Sequence, residues 1–131
     1  MNIDKHGGYM ELLEKDLTEK IIAACLEVSN ELGVGFLESV YERALLIALA
    51  DKGLKAETQV PLKVVFRNRV VGDFYADTLV ENLVIIELKA VKSIGAENEA
   101  QLINYLKATN KRVGLLVNFG KPKLEWKRFV Y

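Results

Sequence analysis

The sequence predicts a layered α/β domain with the element order ααβββαββ. Three observations carry that expectation. Apolar residues recur at helical spacing over the first third of the chain and again over residues 96–109. The stretches between and after those helices run apolar or alternate at strand lengths, separated by turn residues. At 131 residues, half of them apolar and 27% charged, the chain suits one compact domain with a real core.

Residues 1–16 have weak patterning and are expected to be a loose lead-in to a single domain over residues 17–131. From Leu17 the pattern turns helical: Ile21, Ile22, Cys25, Val28 and Leu32 share a stripe, with Thr18 as N-cap and Gly33 as stop. A second helix is expected from about Leu37 to Lys52, with Val40, Ala44, Leu45, Ala48 and Leu49 inward and Gly53 ending it. "TQVPLKVVF" reads as a strand with Pro61 near an edge or bulge. "RNR" is a turn, and "VVGDFYADTLV" and "LVIIELKAV" are two strands joined at Glu81-Asn82. Residues 96–109 return to helix with Leu102, Ile103 and Leu106 inward, and "RVGLLVNFG" and "LEWKRFVY" close the chain as strands.

Cys25 is the one cysteine, so no internal disulfide is expected, and its place in a helical stripe makes it a core residue. No apolar run reaches the roughly 18–20 residues that span a bilayer, and no basic-then-apolar leader is read, so no membrane partner and a cytoplasmic location are expected. The net charge is zero but uneven: residues 1–53 hold ten acids and five bases, residues 90–131 three acids and eight bases. That basic end could attract a polyanion, with Lys121, Lys123, Lys127 and Arg128 the first candidates for nucleic-acid binding. An ordinary solvated surface explains the same charges.

Within "VIIELKAV", Glu87 and Lys89 are two apart on a strand and project to one face. Asp77, on the preceding strand, can meet Glu87 only if the two pair directly. A two-residue turn at Glu81-Asn82 pairs Val80 with Leu83 and puts Asp77 opposite Ile86, on the wrong face. A three-residue connection or a bulge pairs 77 with 87, with Cβ atoms about 5 Å apart. Two carboxylates that close repel unless a proton or a cation separates them, and Mg²⁺ or Mn²⁺ is the natural cation for oxygen ligands. Lys89 beside them could neutralise a phosphate or orient a water, which suits phosphodiester hydrolysis. A structural ion pair at a strand edge is the competing reading, since a D…ExK spacing is short and common.

"GFLESVYERAL" carries Gly35, Glu38 and Tyr41 at the spacing of the GxxExxY proteins, and "ADTLVENLVIIELKAV" and "EAQLINYLKATNKRVGLLVNFG" also resemble that family. The resemblance runs from about Leu17 to the end of the sequence. The family is placed in the PD-(D/E)XK nuclease superfamily, which implies a restriction-endonuclease-like core: a central mixed sheet flanked by helices. The resemblance implies Asp77, Glu87 and Lys89 as the D…ExK set, with Glu38 and the main-chain carbonyl of Leu88 as further metal ligands. It also implies that Gln101 and Tyr105, on one helix face, stand by the active site. Gln101 would orient a phosphate or the metal water, and Tyr105 would stack or hydrogen-bond. The chain departs from the resemblance at Asn98, where family members often carry His; His6, the sole histidine, lies in the N-terminal lead-in.

Three functions remain open at this point. One is a metal-dependent nuclease acting on nucleic acid, DNA first. Another is a nucleic-acid-binding module without cleavage. The third is a partner-binding or homo-oligomeric structural domain whose inherited site is unused.

Overall fold

The protein is described here by a computed structural model, which describes residues 13–131. Residues 1–12 of the expected lead-in, His6 among them, lie outside the described residues. Helices α1 (Lys15–Leu32) and α2 (Glu38–Asp51) come first, then strands β1 (Ala56–Phe66), β2 (Arg69–Val80) and β3 (Val84–Lys89). Helix α3 (Ala96–Thr109) and strands β4 (Val113–Asn118) and β5 (Glu125–Val130) follow, which is the expected ααβββαββ order. The strands form one five-stranded mixed sheet in the order β1-β2-β3-β4-β5. Its β3–β4 pair is parallel, linked by the α3 crossover, and the other pairs are antiparallel.

Both faces of the sheet are covered, and the central strands read accordingly. All six residues of β4 are buried. Val113, Leu115 and Val117 join Val84, Ile86 and Leu88 under α1 and α2. Ile85 and Leu116 point the other way, into a cluster with Leu102, Tyr105 and Leu106 of α3. Gly114 makes that second layer close-fitting: a Cβ there would lie 2.8 Å from Leu102 Cδ1. Pro61 lies on the edge strand β1, where its missing N–H costs no inner ladder bond. Among the described residues no helix is long and apolar enough to cross a membrane.

Some local expectations are corrected. Helix α1 starts at Lys15, so Thr18 sits a turn inside it, and its hydroxyl donates to Lys15 O (3.0 Å) instead of capping. Tyr105, not Ile103, is the third deeply buried residue of α3. Gly33 and Gly53 do end α1 and α2, with φ of 71° and 76° and N–H bonds to Ser29 O and Ala50 O. Cys25 is fully buried, and burial pushes its thiol up to about 12, which leaves it an inert core residue.

Candidate active site

The β2–β3 connection decides where Asp77 falls. Glu81 and Asn82 both take positive φ, and Leu83 N–H closes the turn on Val80 O at 2.9 Å. The ladder then pairs Val80 with Val84, Leu79 with Ile85 and Thr78 with Ile86. Leu83 is therefore the extra residue, and the register runs on toward Asp77 opposite Glu87. The simplest hairpin is not the one formed.

Regular pairing stops at Asp77 on both sides. Toward β3 it ends at Thr78–Ile86, and toward β1 it passes over Asp77 between Thr58–Thr78 and Val60–Ala76. Gln59, the residue passed over in β1, has φ 52°, a left-handed conformation uncommon for a side-chain-bearing residue. Side-chain bonds stand in for the missing rungs. Asp77 Oδ2 accepts the Leu88 N–H at 2.8 Å, and Glu87 Oε1 accepts the Asp77 N–H at 3.4 Å. The two carboxylates are thus locked across the strand pair, with Leu88 held between them by its amide.

That arrangement is electrostatically costly. Glu87 is 4% exposed, and burial followed by the neighbouring Asp77 charge pushes its carboxyl up to about 8. Asp77 is also raised, by burial first, against the Leu88 amide and Lys89, which favour its charged form. Lys89 is close enough to favour the charged form of both carboxylates. On α3, the Tyr105 hydroxyl is pushed up by burial and by the charges of Glu87 and Asp77. Gln101, one turn earlier, is half-buried and lines a cavity shared with Tyr105.

On α2, the acid facing Asp77 is Glu42. Its carboxyl is raised by burial, then by Asp77, with Glu38 adding a smaller push and Gln59 Nε2 donating to it at 3.3 Å. Glu38 itself is exposed in the first turn, four residues before Glu42 on the same helix face. The other two residues of the Gly35-Glu38-Tyr41 motif are structural. Gly35 turns the chain with φ 108°. Tyr41 is fully buried, donates its hydroxyl to Gly33 O (2.6 Å), accepts the Phe36 N–H (3.3 Å) and stacks on Phe119 at 4.9 Å. Glu42 and Glu38 share one helix face a turn apart, so spacing alone does not separate them.

Two further residues have structural duties that the sequence did not reveal. Asn98 spends its side chain on the α3 N-terminus, where its Oδ1 accepts the Gly95 N–H at 3.1 Å. Asn118, fully buried at the end of β4, pairs with Lys89 in register. Its side chain accepts from Val91 N–H and Gly120 N–H and donates to Val91 O and Glu125 Oε1, all within 2.9–3.1 Å. With Phe119 N–H on Lys89 O at 2.8 Å, Asn118 fixes the segment that carries Lys89. Asn118 thus ties the segment after β3 to the β4–β5 connection.

The basic end is not gathered into one patch. On β5, Lys127 reaches toward α3 and pairs with Glu99 at 2.6 Å, while Arg128 reaches toward α1 and donates to Leu13 O. Lys121 pairs with Glu125 at 3.5 Å, and Lys123 is exposed in the β4–β5 connection.

Among the described residues, no three His, Cys, Asp or Glu side chains form a ready metal cluster. Asp77 and Glu87 supply two hard oxygen donors, which fits a cation that keeps several waters, as Mg²⁺ does.

A search of curated proteins found no match. Among solved structures, the chain is similar to the crystal structure of SSO0001, with a TM-score of 0.57 and 21% identity over 89% of this chain. The chain spans 59% of that protein's length, and the likeness supports the restriction-endonuclease-like fold alone. A family profile of the PD-(D/E)XK nuclease superfamily matches residues 15–129, nearly all of the chain. With Asp77 on one strand and Glu87-Leu88-Lys89 on the next, the protein belongs to the PD-(D/E)XK nuclease superfamily.

Proposed function

We propose that the protein is a metal-dependent nuclease of the GxxExxY kind that hydrolyses phosphodiester bonds in DNA. The observation that carries this reading is the Asp77–Glu87 pair, buried side by side with Lys89 at hand. A protein gains nothing structural from crowding two carboxylates that each resist ionisation. Such a pair suits a divalent cation, which supplies a Lewis acid for the phosphoryl oxygen and a bound water of lowered pKa.

The chain's own residues then have distinct tasks. Asp77 and Glu87 hold the cation, with the Leu88 carbonyl beside them as a further oxygen. Glu42 takes the helix-acid place nearest Asp77, and Glu38 extends the acidic face outward. Lys89 meets the charge of the phosphate or orients the attacking water. Tyr105 keeps its proton at neutral pH, as any tyrosine does and this one more firmly, so its hydroxyl can donate to a phosphate oxygen. Gln101 offers an amide one turn away. Lys121, Lys123, Lys127 and Arg128 lie on different sides of the domain, Lys121 and Lys127 paired with acids, so they would meet phosphates singly, and their removal should flatten the salt dependence of binding only in part.

The test is cleavage of single-stranded, double-stranded and branched DNA with Mg²⁺ or Mn²⁺, with Asp77→Asn as control. Cleavage that is lost in EDTA and in the variant is expected. Equal activity of parent and variant would reject the assignment.

A further inference from the structure

The two strands of the β1–β2 hairpin are about twice as long as β3, at 11 and 12 residues against six. The hairpin's outer half leans over α3 and encloses a cavity of about 740 Å³. That volume lies within the roughly 300–1,000 Å³ range of small-ligand sites. Phe74 forms one wall and stays 43% exposed. Its ring packs on that of Tyr105, with centroids 5.9 Å apart and a 45° tilt, so Tyr105 backs Phe74 and the other face of Phe74 is left to the cavity. The Gln101 and Asn104 amides line the same space and have no hydrogen-bond partner among the described residues. Lys63 on the hairpin and Lys107 on α3 give the cavity two cations, against one carboxylate, Glu97. Tyr105 is its shared wall with the carboxylate pair.

An aromatic wall, two uncommitted amides and two cations, next to the carboxylate pair through Tyr105, describe the chemistry of a nucleotide. A base needs a π-face and edge partners, and its flanking phosphates need cations. Paired bases in a duplex present neither a free face nor a free Watson–Crick edge. Resting on the nuclease reading above, we infer that this cavity is a subsite for one unstacked nucleotide of a single strand, its base against Phe74, which Tyr105 supports from behind. Gln101 and Asn104 then address the base edge, and Lys63 and Lys107 hold the backbone beside it. The substrate is therefore a single-stranded segment or an unpaired end.

The experiment uses the full chain in EDTA, where binding is read without metal-dependent cutting. A single-stranded DNA oligonucleotide carrying 2-aminopurine and its duplex of equal length are titrated with the parent and with Phe74→Leu and Asn104→Ala. The parent is expected to bind the single strand about 10-fold more tightly than the duplex and to quench the 2-aminopurine by stacking. Phe74→Leu should lose the quench and most of that preference. Asn104→Ala, at an exposed helix position, should keep the quench but weaken binding. Equal affinity for single strand and duplex overturns the inference, as does a quench that survives in Phe74→Leu. Mn²⁺-dependent cleavage of the same oligonucleotides separates the two readings. Duplex cut as fast as single strand leaves the nuclease standing without the subsite, whereas quenched binding with no cleavage leaves the subsite without the nuclease.

Discussion

Asn118 and Glu87 are both buried polar residues in the two central strands, 0% and 4% exposed, two rungs apart. Their surroundings are opposite. Asn118 has every side-chain polar atom bonded, to Val91, Gly120 and Glu125. Glu87 has one long bond from the Asp77 N–H and is otherwise paired with a second carboxyl, that of Asp77, with which it shares a hydrogen bond. A buried polar group that is fully satisfied holds the fold together. A buried carboxyl whose main partner is a second carboxyl destabilises the fold and is better explained by chemistry. The difference teaches which of the two to regard as framework and which as site.

The largest effect should come from breaking the framework residue. Asn118→Ala removes four hydrogen bonds and strands buried partners, which costs roughly 3–4 kcal/mol. It should also lower cleavage by loosening the Lys89 segment, even under conditions where the variant is fully folded. Glu87→Gln in EDTA should melt no lower than the parent, because it removes the cost of burying an ionisable carboxyl beside Asp77 while keeping shape. Urea denaturation of the three proteins decides the matter. Equal destabilisation by the two variants would erase the distinction between the residues.

A cation should narrow the contrast by giving the Asp77–Glu87 pair an opposite charge. A divalent ion that binds only the folded chain stabilises it by about 2.7 kcal/mol at 100 times its Kd. The parent should therefore melt several degrees higher in Mn²⁺ than in EDTA at fixed ionic strength, and Glu87→Gln should lose most of that gain. Identical parent melts in the two buffers would remove the metal site.

Proton linkage provides a smaller, metal-free test. The Glu87 carboxyl is raised from 4.5 to about 8, so between those values the folded chain holds a proton that the unfolded chain has released. Stability contributed this way is complete below pH 4.5 and is lost as pH rises toward 8. In EDTA the parent should lose about 1–2 kcal/mol relative to Glu87→Gln between pH 5 and pH 7, less than the full linkage slope because Asp77 shares the titration. A parent that gains stability on Glu87→Gln over that range would show that Glu87 is ionised in the fold.

These residues also mark how far the sequence could be read. Element order was legible because the apolar period changes at Gly53 and again at Ile94, and periodicity reports which faces are buried. The D…ExK set was legible as a parity argument, and that argument correctly required more than a two-residue turn. Glu42 was not legible, since nothing in one-dimensional spacing tells which of two acids a helical turn apart faces a strand. The positive φ at Gln59 and the four bonds of Asn118 depend on residues far apart in sequence. Charge counting suggested a basic end but could not show that β5 sends Lys127 and Arg128 to opposite layers of the domain.

Thr78 offers the finest test, since it adjoins Asp77 yet belongs to neither class by inspection. It is 1% exposed and pairs with Ile86, and its Oγ1 has no hydrogen-bond partner among the described residues. A buried hydroxyl without a partner is destabilising, and Val is a β-branched replacement of nearly the same shape that suits a strand. Thr78→Val should therefore raise stability by up to about 1 kcal/mol, a shift of a few degrees in Tm. Cleavage, measured alongside, should stay at the parental rate if the hydroxyl is only a tolerated cost. A variant that melts lower, or that cuts more slowly at unchanged stability, would show that the hydroxyl is occupied in solution. Thr78 would then stand with Glu87, as a polar group buried for what it binds and not for what it holds together.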